Sequence, residues 1–222
     1  MQKENIKAIL FDLDGTLFKS ERYHLAAWNE ALNKFNISID PSLYPIYVGK
    51  SAEWIEEDIK KRFDADFKKG ELIKEKNKIF VNLFGYTEWD TEGLMPFARK
   101  SVQFFYDNSF LLSICTSGSR EETVMKLRNS DMEKYFNTIF TADDVKLCKP
   151  APDIYLAAIN HFQLEGYQCL AIEDTQSGVI AAKDAGAFCF AIPNEHSKKQ
   201  DFSAADKVLE SLNDLIQFFN SK

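Results

Sequence analysis

Two aspartates, Asp12 and Asp14, follow directly on an apolar run near the start of the chain. The run, residues 6–11, is typical of a strand that is buried on both faces. Such a strand would place both carboxylates at the rim of a hydrophobic core, where a charged group is stable only with a partner. Gly15 comes next, so the pair could also do no more than end a strand in a turn, because Asp and Gly favour turns.

Unusual polar groups also follow three later apolar runs, which cover residues 110–115, 137–140 and 168–172. In chain order these groups are Thr116, Ser117 and Gly118, then Lys149 after a loop, then Glu173 and Asp174. Taken singly each has an ordinary explanation, as a turn hydroxyl, a surface lysine or a helix-capping acid. In a parallel sheet, however, the carboxyl ends of the strands lie along one edge, so all of these groups would converge with Asp12 and Asp14.

Together these side chains would form a site with four acids, an ammonium group and a hydroxyl beside turn amides. So many acids stay ionised side by side only when a cation lies among them. Because the ligands would be oxygens with no His or Cys, the expected cofactor is Mg²⁺. Lys149 and the turn 116–118 would offer a positive, donor-rich pocket for a phosphoryl group, which a neighbouring carboxylate could attack to form an aspartyl-phosphate.

Helical patterns lie between the apolar runs, over residues 121–128, 153–162 and 177–185, and a further apolar run covers 187–192. Strands that alternate with helices predict the α/β class, with a doubly wound, mostly parallel sheet covered by helices on both faces. This fold class places its chemistry in the loops at the carboxyl ends of the strands, where the polar groups are found.

One long segment interrupts the alternation of strands and helices. Between residues 18 and 92 the sequence shows helical periodicity in three stretches and no convincing buried strand. We therefore predict a helical cap domain at 18–92, inserted after the first strand into a core domain made of 1–17 and 93–222. Hinges between the two domains are expected near 18–20 and 92–96.

The composition is that of an ordinary globular protein of 222 residues, with 45% hydrophobic and 27% charged residues. A formal net charge of −7 argues against nucleic acid or an anionic membrane as a partner, although one lysine and a metal ion can still attract a small anion. No apolar run approaches the roughly 18 residues of a membrane span, no signal peptide is expected, and the four cysteines lack metal-site spacing. We expect a cytoplasmic monomer, with reduced cysteines, that binds a small phosphorylated metabolite.

The polar motifs, taken jointly, resemble those of the haloacid dehalogenase-like (HAD) phosphatase superfamily. Four motifs carry the resemblance in order and spacing: DLDGT from residue 12, the Thr116 turn, Lys149 with Pro150, and Glu173 with Asp174. The stretches KPAPDIYLAAI and IEDTQSGVIAAKDAGA are especially similar to the branch that holds sugar-phosphate phosphatases and β-phosphoglucomutase. Members of this branch carry a helical cap after the first motif, where the helical segment falls here.

The resemblance implies that Asp12 is the nucleophile and that Asp14 is the general acid and base, which protonates the leaving oxygen and then deprotonates water. Thr116 and its turn would hydrogen-bond the transferring phosphoryl group, and Lys149 would neutralise the charge of that group and of the nucleophile. We expect the pKa of Asp14 to be raised by the neighbouring carboxylates and by loss of solvent when the cap closes.

The resemblance also implies a ligand set for Mg²⁺. The ion would be held by Asp12, Asp174 and the main-chain carbonyl of Asp14. Glu173 would act on it directly or through a water molecule.

Three residues of the cap match positions near the substrate in this branch. His24 matches a histidine near the cap hinge, although a lone histidine on an apolar helix face is more often structural. Lys50 and Ser51 fall in the cap's substrate loop. The mutase has an arginine for a second phosphate just after this serine, and here that position is Ala52, so Lys50 or Arg120 would have to replace it.

The leading functional hypothesis is a Mg²⁺-dependent phosphatase that hydrolyses a sugar or polyol phosphate through an aspartyl-phosphate. The enzyme alternative is a β-phosphoglucomutase-type phosphomutase, which would need two phosphate-binding groups, of which the sequence shows one clearly. A non-enzymatic signalling receiver domain also has a phospho-accepting Asp, but its acid pair comes first in the chain and here it comes last. A haloacid dehalogenase is disfavoured, because those enzymes lack the second Asp of the first motif, which is Asp14 here.

Overall fold

The computed structural model describes residues 2–40, 43–85 and 93–221, apart from the side chain of Pro45. The strands are β1 (Ala8–Phe11), β2 (Leu111–Cys115), β3 (Thr138–Phe140), β4 (Cys169–Glu173), β5 (Phe188–Ala191) and β6 (Lys207–Val208). They form one sheet of six strands in the order β3-β2-β1-β4-β5-β6, and every neighbouring pair is parallel. The predicted parallel α/β sheet is confirmed.

The central strand β1 is completely buried because the sheet is covered on both faces. Ile9 and Phe11 belong to one hydrophobic cluster, whereas Ala8 and Leu10 belong to a second one. Successive side chains of a strand point to opposite faces, so the two clusters are the two covered faces of the sheet. A strand in this position must be apolar at every residue, which explains the unbroken apolar run.

Nine α-helices occur in the described residues, and none is long and apolar enough to cross a lipid bilayer. They are α1 (Glu21–Asn33), α2 (Tyr44–Tyr47), α3 (Ala52–Arg62), α4 (Glu71–Phe84), α5 (Ala98–Asp107), α6 (Arg120–Asn129), α7 (Asp153–His161), α8 (Gln176–Asp184) and α9 (Leu212–Asn220). The helices predicted at 121–128, 153–162 and 177–185 correspond to α6, α7 and α8 to within one residue at either end.

Helices α1 to α4 lie in the chain between β1 and the rest of the sheet. Helices α1 and α4 pack along each other through apolar faces that include Trp28, Leu72 and Phe80, all of them buried. The helical segment inserted after the first strand is therefore as predicted. Its boundaries as a separate cap domain, 18–92, remain a prediction, and residues 86–92 at its end lie outside the described residues.

The two chain segments that join these helices to the sheet run side by side. The amide of Lys19 donates to the carbonyl oxygen of Gly93 at 2.7 Å, next to the fully buried Phe18. The predicted hinges near 18–20 and 92–96 are thus adjacent, although residue 92 is outside the described part of the chain. A hinge function for these segments remains a prediction.

All four cysteines are free thiols. Cys115, Cys169 and Cys189 are buried in the core. Cys148 is partly exposed beside Lys149, where burial still raises its thiol pKa to about 11.

Candidate active site

The polar groups that follow the strands do converge at one edge of the sheet. Strand β1 lies between β2 and β4, and Phe11 at its end is in register with Ile114 and Ile172. Asp12 is the next residue, and its amide donates to the carbonyl oxygen of Ile172 at 3.0 Å. Its carboxylate therefore lies beside the ends of both neighbouring strands, where the later motifs begin.

Lys149 is the electrostatic centre of this edge. Its ammonium nitrogen lies 2.6 Å from Asp12 Oδ1 and 2.6 Å from Glu173 Oε1, and it donates to the carbonyl oxygen of Cys115 at 2.7 Å. These contacts occupy all three ammonium hydrogens. Burial by itself would lower the pKa of Lys149, but the two carboxylates raise it above its ordinary value, so the group stays charged.

Glu173 is held by protein donors on both carboxylate oxygens. The hydroxyl of Tyr155 donates to Oε1 at 2.6 Å, and the hydroxyl of Thr175 donates to Oε2 at 3.3 Å. Its carboxyl carbon packs against Gly178 in α8, where a Cβ atom would lie only 1.9 Å away. Only glycine fits there, so the fold fixes Glu173 in the position that pairs with Lys149. Sequence analysis missed Tyr155, which looks like one more apolar residue of its helix.

Three acids at this edge could hold a metal ion. Asp12, Glu173 and Asp174 each offer a carboxylate oxygen within 4.8 Å of the others, and all three are buried. Burial, with repulsion from Glu173 and Asp14, raises the pKa of Asp12 to about 7 despite the attraction of Lys149. Burial, with Asp12 and Glu173 nearby, also raises the pKa of Asp174 well above its ordinary value.

This set of donors fits Mg²⁺. The ligand atoms are hard carboxylate oxygens without a His or Cys. The raised pKa values of Asp12 and Asp174 mean that an added cation would favour the ionised form of both. Gly15 leaves room for the cluster, because a Cβ atom there would lie 2.3 Å from Asp174 Oδ2. Asn194, which sequence analysis missed, donates to that oxygen at 2.8 Å. Binding of the ion by these side chains, and by the main-chain carbonyl of Asp14, remains a prediction.

We expect Mg²⁺ to stabilise the protein more strongly at about pH 8 than at about pH 5. Asp12 titrates at 3.8 in an unfolded chain and near 7 in the fold, so the metal-free protein loses stability as the pH rises between these values. At about pH 8 Mg²⁺ meets an ionised Asp12 carboxylate, whereas at about pH 5 the ion must displace the proton of this group. Thermal melting curves with and without Mg²⁺ at the two pH values measure the difference.

Two variants control this measurement. Asp174→Asn should lose the Mg²⁺ effect, whereas Asp184→Asn, which changes an exposed acid of α8, should keep it. Stabilisation by Mg²⁺ that is equal at both pH values, or that survives in Asp174→Asn, would contradict a metal site in this cluster.

Asp14 lies in a different environment from the other acids. Its Oδ1 atom accepts hydrogen bonds from Ser20 and from the ammonium of Lys126, and His24 Nε2 lies 3.3 Å away. Burial alone would raise the pKa of Asp14, but Lys126 and then His24 hold it well below its ordinary value. The expectation of a raised pKa is therefore wrong for this structure, because Lys126 and His24 outweigh the effect of burial.

Lys126 was missed because its local sequence is that of an exposed helix. It lies in α6, in the stretch REETVMKLRN, where charged residues predominate. In the structure Lys126 is completely buried, with its ammonium 5.4 Å from the centroid of the Phe80 ring. Arg128, two residues later in the same pattern, is exposed, so only the tertiary structure distinguishes the two.

The turn after β2 presents polar groups to the same cavity as Asp12. Thr116 is buried, and its Oγ1 accepts a hydrogen bond from the amide of Gly118 at 3.0 Å. The hydroxyl oxygen of Ser117 is buried and has no hydrogen-bond partner among the described residues. Such a group is costly to leave unpaired, so it is available to bind an anion. The phosphate-binding roles of this turn and of Lys149 remain predictions that this geometry suits.

The site opens into a cavity of about 210 Å³ between this edge and the helical segment, a size that favours a small polar ligand. The loop before α3 closes one side of it. Ser177 Oγ donates to the carbonyl oxygen of Gly49 at 2.6 Å, and Gln200 Nε2 lies 3.4 Å from the carbonyl oxygen of Val48. A Cβ atom at Gly49 would lie 3.0 Å from the side chain of Thr175, so the loop is seated tightly on the core.

His24, the first of the three residues predicted to bind substrate from the cap, lines this cavity. Besides its contact with Asp14, it stacks on Phe80 with ring centroids 4.6 Å apart. Burial, with Lys76 nearby, lowers the pKa of His24, so the imidazole is neutral at neutral pH. Its position favours orienting Asp14, and a direct substrate contact remains a prediction.

The other two cap residues differ from each other. Lys50 lines the cavity at an exposed position, with its ammonium 5.2 Å from the centroid of the Trp54 ring. Ser51 is not part of the cavity lining, because its hydroxyl caps α3 by accepting from the amide of Trp54 at 3.3 Å. The substrate contact predicted for Ser51 therefore has no support from its position.

Comparisons with known proteins identify the family of this chain and several relatives. The model of the haloacid dehalogenase-like hydrolase family matches residues 6–186. The chain is 26% identical to the phosphorylated carbohydrates phosphatase of Thermotoga maritima over 82% of each chain. It is 27% identical to the beta-phosphoglucomutase of Bacillus subtilis over 95% of this chain and 92% of that one.

A solved structure has the same fold. The crystal structure of CbbY from Rhodobacter sphaeroides in complex with phosphate is similar with a TM-score of 0.85 and 26% identity, over 95% of this chain and 96% of that one. Because the family model matches most of the chain and the structural similarity spans nearly all of it, this protein belongs to the haloacid dehalogenase-like hydrolase family.

Proposed function

We propose that this protein is a Mg²⁺-dependent phosphatase that hydrolyses a small sugar or polyol monophosphate through an aspartyl-phosphate. One observation carries the proposal. The Asp12 carboxylate is paired with Lys149 in a buried cluster, and it faces the same cavity as the unpaired hydroxyl of Ser117. A nucleophile, a cation and a free donor thus surround one space, which is the arrangement that phosphoryl transfer requires.

The first chemical step uses groups from both sides of the cavity. An oxygen of Asp12 attacks phosphorus, and the bond from phosphorus to the leaving oxygen breaks. Asp14, which we expect to take up a proton when substrate binds, gives that proton to the leaving oxygen. Lys149 offsets the negative charge that develops on the phosphoryl group, and Thr116 and Ser117 orient it. Mg²⁺, if held by Asp12, Asp174 and Glu173, would supply a further positive charge to the transferring phosphoryl group.

The second step releases the phosphate. Asp14 is now ionised and takes a proton from a water molecule, which attacks the phosphorus of the aspartyl-phosphate. The bond between phosphorus and the Asp12 oxygen breaks, and inorganic phosphate leaves with Asp12 restored. Between the two steps Asp14 has given up its proton, and its carboxylate must be charged. The low pKa of Asp14 beside Lys126 suits this state.

The position of Arg120 favours the phosphatase over a phosphomutase. A mutase must hold a second phosphate, and Ala52 occupies the position where the resemblance places an arginine. Arg120 does not replace it, because it donates to Asp144 at 2.6 Å and to the carbonyl oxygen of Ile139 at 3.0 Å, and it is not part of the cavity lining. Lys50 is the remaining candidate, at an exposed position.

A screen for phosphate release over a panel of sugar and polyol monophosphates tests the proposal. We expect turnover that requires Mg²⁺ and that ends on chelation with EDTA. Ca²⁺ should inhibit, because its larger and looser coordination would draw both oxygens of Asp12 onto the ion. Full activity after exhaustive chelation would contradict the metal site.

Glucose 1-phosphate separates the two enzyme hypotheses. A phosphatase releases inorganic phosphate from it, whereas a mutase forms an isomeric sugar phosphate without net release. Isomer formation that outpaces phosphate release would establish the mutase function instead.

A further inference from the structure

A buried ion pair crosses the cavity from the helical segment to the core. Lys76 of α4 and Glu122 of α6 approach to 2.6 Å between Nζ and Oε1. Their side chains are only 7% and 1% exposed, and both residues line the cavity that contains Asp12 and Asp14. The reaction described above uses neither of them.

The ammonium of Lys76 is otherwise surrounded by aromatic rings. It lies 5.0 Å from the centroid of the Phe80 ring and 5.9 Å from that of Trp28. Glu122 is its one ion-pair partner among the described residues. Removing a lone charge from water is costly, and Glu122 supplies the opposite charge beside the Lys76 ammonium in this wall.

A buried pair of this kind is a poor source of stability. The loss of hydration on burial offsets much of the attraction between the charges, and well-packed apolar residues often serve a fold equally well. The place of the pair in the cavity wall therefore suggests a role toward the ligand. An ammonium donor beside a carboxylate acceptor, neutral overall, suits the hydroxyl groups of a sugar or polyol.

The rest of the cavity wall supplies little positive charge for a second anionic group. Among the described residues that line it, the basic side chains are His24, Lys50, Lys76 and Lys149. Lys149 is committed to two carboxylates, His24 lies 3.3 Å from the Asp14 carboxylate and stacks on Phe80, and Lys50 is exposed to solvent. Lys76 is thus the one buried cation that could face a second phosphate, and Glu122 cancels its charge.

We propose that Glu122 is a specificity-determining residue, which neutralises Lys76 so that the cavity accepts monophosphates with an uncharged, hydroxyl-bearing remainder and rejects bisphosphates. The proposal rests on the proposed phosphatase function and names the substrate class of that site. Rejection arises because a second phosphate would lose its hydration without gaining a counter-charge.

The variant Glu122→Gln tests this role by a gain of binding. The amide keeps the size of the side chain and can still accept a hydrogen bond from Lys76, but the ammonium is left uncompensated. Fructose 1-phosphate and fructose 1,6-bisphosphate are compared as competitive inhibitors of p-nitrophenyl phosphate hydrolysis. We expect the variant to shift the ratio of the two inhibition constants in favour of the bisphosphate by about tenfold or more.

The neighbouring variant Glu121→Gln is the matched control. It removes the same charge from the same first turn of α6, but from an exposed position, so the ratio should stay at the wild-type value. The double variant Lys76→Gln with Glu122→Gln is again neutral overall and should return the ratio toward wild type. Damage to the fold cannot produce this pattern, because the harmful effects of the two substitutions would then add in the double variant instead of cancelling.

Several outcomes would overturn the proposal. One is an unchanged ratio in Glu122→Gln, and another is a wild-type protein that already binds the bisphosphate more tightly than the monophosphate. If Glu122→Gln does not fold, Lys76→Gln decides the matter, because it leaves Glu122 charged and must shift the ratio the opposite way. A wild-type protein without any p-nitrophenyl phosphate hydrolysis would instead contradict the proposed phosphatase function.

Discussion

Replacing Asp12 with asparagine should reduce phosphatase turnover by at least about a thousandfold while the fold survives. An amide oxygen cannot form the acyl-phosphate bond, and no other carboxylate takes its place. Glu173 is held away by Tyr155 and Thr175, and Asp14 is occupied by Lys126. The covalent step therefore has no substitute nucleophile in this arrangement.

The same variant should not be destabilised in the absence of metal. The pKa of Asp12 is raised to about 7, so at about pH 8 the fold holds an ionised carboxylate that it disfavours relative to the unfolded chain. Asparagine removes this cost, and Lys149 keeps its ion pair with Glu173. We expect a melting temperature at about pH 8 that is no lower than that of the wild type.

Phosphate release and thermal melting, measured on the same preparation, check both parts of this prediction. Asp107→Asn, which changes an exposed acid at the end of α5, serves as the control and should behave as the wild type. If Asp12→Asn kept more than about a tenth of the activity, covalent catalysis by Asp12 would be excluded.

The sheet and its polar edge were predictable because they depend on local patterns. A strand buried on both faces is mostly apolar. Strand β1 therefore appears in the sequence as a short unbroken apolar run, and β2 and β4 as runs that are apolar apart from Ser113 and the final Glu173. A parallel arrangement then brings their carboxyl ends to one edge, whatever the details of packing. The convergence of Asp12 and Lys149 follows from this topology alone.

Elements without such a pattern were not predicted. Strand β6 is two exposed residues, Lys207 and Val208, which carry no apolar run. Helices α5 and α9 have clear apolar faces and pack together, but they lie outside the alternation that the prediction followed. Helix α2 is a single turn of four residues, too short for a periodicity to be visible.

The missed charged residues of the site share a different cause. Lys76, Glu122 and Lys126 are charged side chains on helices, and on helices such residues are usually solvated. Their burial results from the way α4 packs against α6, which is a contact between distant parts of the chain. No spacing within either helix distinguishes a lysine that points inward from one that points to solvent.

The second large effect concerns Asp14 and depends on the leaving group of the substrate. In the free protein Lys126 and His24 keep Asp14 ionised. A phosphoryl group bound beside Asp12 adds negative charge that opposes these two groups, so we expect Asp14 to gain its proton when substrate binds. A sugar or polyol oxygen needs that proton to leave, whereas p-nitrophenolate is a stable anion and leaves without it.

Asp14→Asn should therefore lower kcat/KM for a sugar phosphate by about 10²- to 10⁴-fold, but by less than about tenfold for p-nitrophenyl phosphate. The comparison uses kcat/KM because this constant covers only the steps up to departure of the leaving group, which excludes the later attack of water. Asp143→Asn is the control, because it changes an exposed acid in the same cavity. It should change kcat/KM for the two substrates by the same factor. Equal losses on the two substrates in Asp14→Asn would mean that Asp14 is not the general acid. The contact between Lys126 and Asp14 would then have only a structural role.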